Sequence, residues 1–121
     1  MKEKRTIMDY LNDIKEYSEA VIQFTNNITY EDFVKDMKTK FATVRALEVV
    51  GEATKNIPEK SRKKYPNISW KAIAGTIDKI AHEYFGIDYQ IVWEVSKNKI
   101  PELIEEINKI IEIEIKEEGE K

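Results

Sequence analysis

Cysteine is missing from all 121 residues, which excludes a disulfide framework and thiolate-bound zinc. Histidine occurs once, at His82, and one imidazole among scattered carboxylates lacks the ligand spacing of a zinc centre. No metal and no cofactor is therefore expected. Glycine and proline are scarce, at four and three residues, which speaks against a turn-rich sheet protein. No apolar run approaches the roughly 20 residues that cross a bilayer, and the start of the chain leads into an amphipathic segment rather than the apolar stretch of a signal peptide. A soluble, cytoplasmic protein without membrane contact is the expectation. Basic residues are not in excess, and a net charge of -3 disfavours broad nucleic-acid affinity. Glycine-rich phosphate loops, nucleophile elbows and paired-histidine helices are also absent from the sequence.

What is present is a chain 41% hydrophobic and 36% charged, with apolar residues at helical spacing. Its length suits one domain over residues 1–121. Ile7, Leu11, Ile14, Val21 and Phe24 form one amphipathic stripe. Thr29 and Asp32 form a capping-box pair that opens a second stretch, expected to run with a bend through Phe33, Met37, Phe41, Val44, Leu47 and Val50 to about Lys55, where Pro58 ends it. Residues Glu59–Pro66 read as a helical turn inside a loop. Ser69 is placed to cap a third helix that Gly86 stops. Asp88 caps a short helix with Ile91, Val92 and Val95, and Pro101 stands in the first turn of a last one through Leu103, Ile107, Ile110 and Ile111. Ile113 and Ile115 alternate like a strand and are read as a helix end. These segments predict an all-α protein, an antiparallel four-helix bundle with one or two additional short helices. Apolar surface left over on so small a bundle favours a homodimer.

His82 is the one side chain whose ordinary pKa lies near neutrality. On its helix Ile73, Ile77, Ile80, Ala81 and Tyr84 make the packed stripe, whereas His82 shares a face with Lys71, Gly75 and Asp78. Asp78 stands one turn before it, close enough to hold the imidazole proton. A lone helical histidine is more often a surface residue than a catalyst, so this pattern alone does not make an enzyme. Lys60, Arg62, Lys63 and Lys64 beside Tyr65 form the best candidate for tracking phosphates, against the blander reading of a solvated loop. Trp70 and Trp93 can stack on bases, yet beside apolar helical residues a tryptophan is more often core.

Several runs, taken together, resemble the HepT-like branch of the HEPN superfamily. They are Phe33-Val34-Lys35-Asp36, then Val44 through Ala53 with its Gly51-Glu52-Ala53, then Tyr65 through Gly75, and finally His82-Glu83-Tyr84-Phe85-Gly86-Ile87-Asp88 with Val92-Trp93. The resemblance implies a HEPN-like helical homodimer, the toxin of a toxin-antitoxin pair whose antitoxin is a minimal nucleotidyltransferase. It implies a metal-independent endoribonuclease, with RNA as substrate. The family motif is Arg, four residues, His, one residue, Tyr. His82 matches the catalytic histidine, and Tyr84 matches the tyrosine that accepts AMP groups from the antitoxin. The arginine position holds Ile77, which neither donates a hydrogen bond nor carries charge, so activity is expected to be impaired unless Lys79 or Arg45 substitutes. Arginine placed at 77 is expected to raise cleavage. The alternative is a non-catalytic helical dimer that binds and positions the nucleotidyltransferase.

Overall fold

The structure, a computed structural model, describes residues 5–81 and 86–119. Helix α1 spans Ile7–Thr25 and begins at a capping box: the Thr6 amide donates to Asp9 Oδ2 at 2.8 Å, and the Asp9 amide donates to Thr6 Oγ1 at 3.3 Å. The amide donation from Thr6 holds the Asp9 carboxyl below the usual carboxylate range. Leu11, Ile14, Ser18, Val21 and Thr25 recur every three or four residues and are the positions α1 buries. Asn27 then takes a φ of 60°, a left-handed conformation that asparagine tolerates better than most residues.

The expected single stretch from Thr29 to Lys55 is two helices, α2 (Tyr30–Lys35) and α3 (Met37–Lys55). Thr29 and Asp32 make the anticipated box. Asp36 divides the two by serving both as the end of α2 and the cap of α3, where its carboxylate accepts from the Thr39 amide at 3.3 Å and the Thr39 hydroxyl at 2.7 Å. A carboxylate that satisfies the next helix's amides competes with helix continuation through its own residue. The turn expected after Pro58 is a six-residue helix, α4 (Glu59–Lys64), and α5 is described over Trp70–Ala81. Gly86 adopts a φ of 118°, which residues with a Cβ rarely take.

Asp88 caps α6 (Tyr89–Glu94) and Pro101 stands in the first turn of the last helix, both as expected. A π-helical turn, Val95–Lys99, joins α6 directly to α7 (Ile100–Gly119), with the Ile100 amide bonded to the carbonyl of Val95. Pro101 has no N–H to give, and its ring crowds the carbonyl four residues earlier. The wider turn immediately before it makes room. Residues 113–115 continue α7 as helix.

Helix α3 packs against both α1 and α5, and α1 also packs against α7, so the four principal helices are ordered α5–α3–α1–α7. Lys97 Nζ donates to the Thr25 carbonyl at 3.0 Å, which sets the start of α7 beside the end of α1. Lys40 Nζ lies 4.6 Å from the Tyr89 ring centre, which sets α6 beside the start of α3. Helices α1 and α7 are therefore antiparallel, as short connections between one-sided stripes predict. Phe33, fully buried, anchors α2 against Trp93 at 5.2 Å between ring centres and Tyr89 at 6.4 Å. Between α5 and α7 lies a groove of about 350 Å³, floored by Ile73, Ile77, Ile100 and Leu103 and rimmed by Lys99, Glu102 and Glu106. Among the described residues there is no strand, and no helix is long and apolar enough to cross a membrane.

Candidate functional site

Ile77 occupies the motif position that lacks its arginine, and the fold uses it as core: it is 2% exposed. It is turned toward Gly51 of α3 so closely that a Cβ on Gly51 would stand 2.6 Å from Ile77 Cγ2. The glycine of the Gly51-Glu52-Ala53 run thereby acquires a packing reason, because it lets the α3 and α5 backbones approach around a β-branched side chain. The next residue, Asp78, faces outward and accepts from Lys55 Nζ at 2.7 Å. That pairing raises the Lys55 pKa. The carboxylate expected to serve His82 is therefore already engaged by a lysine from α3.

Phe41, Arg45, Glu48, Glu52 and Lys55 follow one another at steps of four and three along α3, so they share the side on which Lys55 reaches Asp78. Arg45 is well exposed, at 73% of its side chain, with Glu48 Oε2 3.6 Å from Nη1. Because Tyr89 of α6 stands beside Lys40, this guanidinium is on the half of α3 nearer α6. Lys79 is exposed on α5 itself. His82 and Tyr84, the residues matched to the family's catalytic and modified positions, lie outside the described residues.

The four basic residues proposed from sequence as one phosphate-binding patch have separate duties. Arg62 donates to three carbonyls at and just beyond the end of α3, those of Ile57 at 3.0 Å, Lys55 at 2.6 Å and Thr54 at 3.3 Å, the last also accepting from the Ile57 amide. Lys64 Nζ reaches Glu114 Oε2 at 3.0 Å and Glu117 Oε2 at 2.5 Å on α7. The Tyr65 hydroxyl also donates to Glu114. Desolvation first, then the Glu114 hydrogen bond, push the Tyr65 phenol up to about 12, while the two carboxylates raise the Lys64 pKa. Lys60 and Lys63 stay exposed, and Lys63 lines an open cavity of about 570 Å³ with Lys71, Arg62 and Trp70. Trp70 is core, 5% exposed, with its indole N–H on the Tyr65 carbonyl at 2.9 Å. Trp93 packs against Tyr30 and Phe33. Sequence reasoning missed the clasp between Lys64 and α7 because its partners stand 50 residues apart, beyond any local spacing rule. Among the described residues no group of three or more acidic, histidine or cysteine side chains is arranged to hold a metal ion.

Comparison with known proteins points in one direction. The family described as Ribonuclease HepT-like matches residues 14–110. A putative RNase of Methanocaldococcus jannaschii is 51% identical over 117 residues, covering 96% of this chain and 97% of that protein. A second putative RNase of the same organism is 47% identical over 108 residues, 89% of each chain. A probable ribonuclease HepT of Thermococcus cleftensis is 47% identical over 100 residues, covering 83% of this chain and 91% of that one. No solved structure matches the chain.

Proposed function

Since the chain belongs to the HepT-like ribonuclease family, we propose that it is a metal-independent endoribonuclease, the toxin of a pair with a minimal nucleotidyltransferase antitoxin. The observation that carries the reading is the His82-x-Tyr84 pair, present in a chain whose relatives are named as RNases. In this chemistry the ribose 2′ oxygen attacks phosphorus as the bond to the 5′ oxygen breaks. One histidine takes the 2′-hydroxyl proton and a second gives a proton to the leaving 5′ oxygen. Two subunits of a homodimer supply the two histidines. Exposed Met37 and Phe41, at 64% and 54%, are apolar surface of the kind that a second copy covers.

The charge that grows on the phosphoryl oxygens calls for a cation, and Ile77 cannot supply it. Arg45 is the better substitute of the two considered, because it stands on the α3 strip beside α5 and its guanidinium can engage two phosphoryl oxygens at once. An AMP group on Tyr84 would add negative charge beside the RNA path and repel the substrate. The direct test is cleavage of RNA in the presence of a chelator. Wild type is expected to cut and His82→Ala to lose the activity, and equal activity in both would remove the reading.

One observation favours a second reading, a silent dimer that positions the nucleotidyltransferase: the family arginine position is core packing against Gly51. It expects a stable complex with the nucleotidyltransferase and no cleavage by wild type. Failure of the two proteins to co-purify would count against it.

A further inference from the structure

We propose that the acidic end of α7 is an intramolecular competitor for RNA phosphate at Lys64. Three observations lead there. The α4–α5 junction carries Lys60, Lys63, Lys64 and Lys71, with Lys63 and Lys71 on one open cavity that Glu59, 4.0 Å from Lys63 Nζ, also lines. Arg62 is tied down beside them, its Nε and Nη2 donating to carbonyls at the end of α3. Lys64 is held by two carboxylates, Glu114 and Glu117, as a phosphate's oxygens would hold it.

The Lys64–Glu117 half of the clasp is at the surface, 43% and 48% exposed, so water and salt screen it and exchange of that anion for another is inexpensive, while Glu114, 15% exposed, keeps the Tyr65 hydroxyl as a partner. An RNA backbone lying along Lys63 and Lys71 brings phosphates to the ammonium of Lys64. That ammonium then changes partners, and the end of α7 loses this anchor. The same step explains how a chain of net charge -3 presents a local cationic path on demand rather than a permanently sticky one. No covalent step is involved.

The proposal rests on reading the chain as RNA-acting, and the experiment keeps the two apart by measuring binding without cleavage. The probe is a fluorescent single-stranded RNA with 2′-O-methyl groups, which lacks the attacking hydroxyl, titrated against the full chain. Glu114→Gln with Glu117→Gln is expected to tighten binding by about 3- to 10-fold at low salt and to steepen the salt dependence by about 0.7 in log–log slope, the signature of one more phosphate contact on a single strand. Lys64→Gln is expected to change the wild-type affinity by less than about 2-fold and to abolish the gain in the double variant. Glu117→Gln alone leaves Tyr65 and Glu114 joined and gives a smaller gain in a fold that is sure to persist by circular dichroism. Equal weakening by Lys64→Gln in both backgrounds, or no tightening in the folded glutamine variants, overturns the proposal. A chain that cleaves RNA yet shows no such coupling refutes the competitor and leaves the ribonuclease reading standing. A chain that shows the coupling without cleavage does the reverse.

Discussion

The α3–α5 seam and the α4–α7 clasp join helices in the same bundle by opposite physics. At the seam, Gly51 removes its own side chain so that Ile77 can pack at the closest approach, and nothing polar lies between them. At the clasp, Lys64, Tyr65, Glu114 and Glu117 meet at the edge of solvent. A dry seam is fixed by shape: it tolerates neither extra volume nor charge, and its cost of disruption is large. A wet clasp is fixed by charge that salt and competing ions weaken, so it contributes little to stability and is suited to exchange. The family's arginine position lies in the first kind of contact, and Lys64 of the candidate phosphate-binding run lies in the second. Stability and any switching behaviour are thereby separated in space.

The sharpest way to break this comparison is Ile77→Arg. Packed against Gly51, the longer guanidinium side chain has to displace core, and a loss of about 3 kcal/mol is expected in urea unfolding. Position 77 also floors the groove between α5 and α7, so arginine there is expected to raise cleavage only where the fold withstands that cost. A folded, undiminished variant would show that the seam can open. Gly51→Ala comes next. Its new Cβ meets the stiff Cγ2 of Ile77 at 2.6 Å, and about 2 kcal/mol of destabilisation is expected. Gly51→Ala in an Ile77→Ala background should cost clearly less than in wild type, since the clashing methyl is gone. Strict additivity in a double-mutant cycle would mean that the strain is relieved elsewhere.

The clasp should respond more weakly. Tyr65→Phe is expected to cost about 1 kcal/mol, the worth of one hydrogen bond. Tyr65 also gives the clasp a pH signature. Its folded pKa, about 12, lies above the ordinary 10, so its contribution is complete below about pH 10 and disappears as pH rises through about 12. Phenolate absorbance should therefore show one tyrosine titrating late, and that late phase should vanish in Tyr65→Phe. If Tyr65→Phe instead removes a phenol that titrates near the ordinary value, the hydroxyl is in water rather than on Glu114.

Much of the bundle was legible in the chain because period and caps are local properties. Thr29 with Asp32, Asp88 and the stripes through Leu11 and Ile107 stand where the spacing placed them. The failures are informative in the same terms. Asp36 looked like one more polar residue in a long helix, yet its carboxylate caps the next one. Pro101 stands in the first turn of the last helix as its spacing predicts, but the π-helical turn that joins this helix to α6 leaves no local signal. The basic run was legible as charge but not as assignment: one geometry turns Arg62 inward to carbonyls, and another delivers Lys64 to α7.

The sequence by itself determined the helices, their polar and apolar faces and the family, since each follows from residues near in the chain or from long stretches shared with relatives. It also showed that an isoleucine stands where a cation is customary. Tertiary structure decided what that isoleucine does, because only the approach of α3 to α5 sets Gly51 against it. It decided likewise which lysine is engaged and by what, because charges 50 residues apart interact only after the fold has brought them within hydrogen-bonding distance.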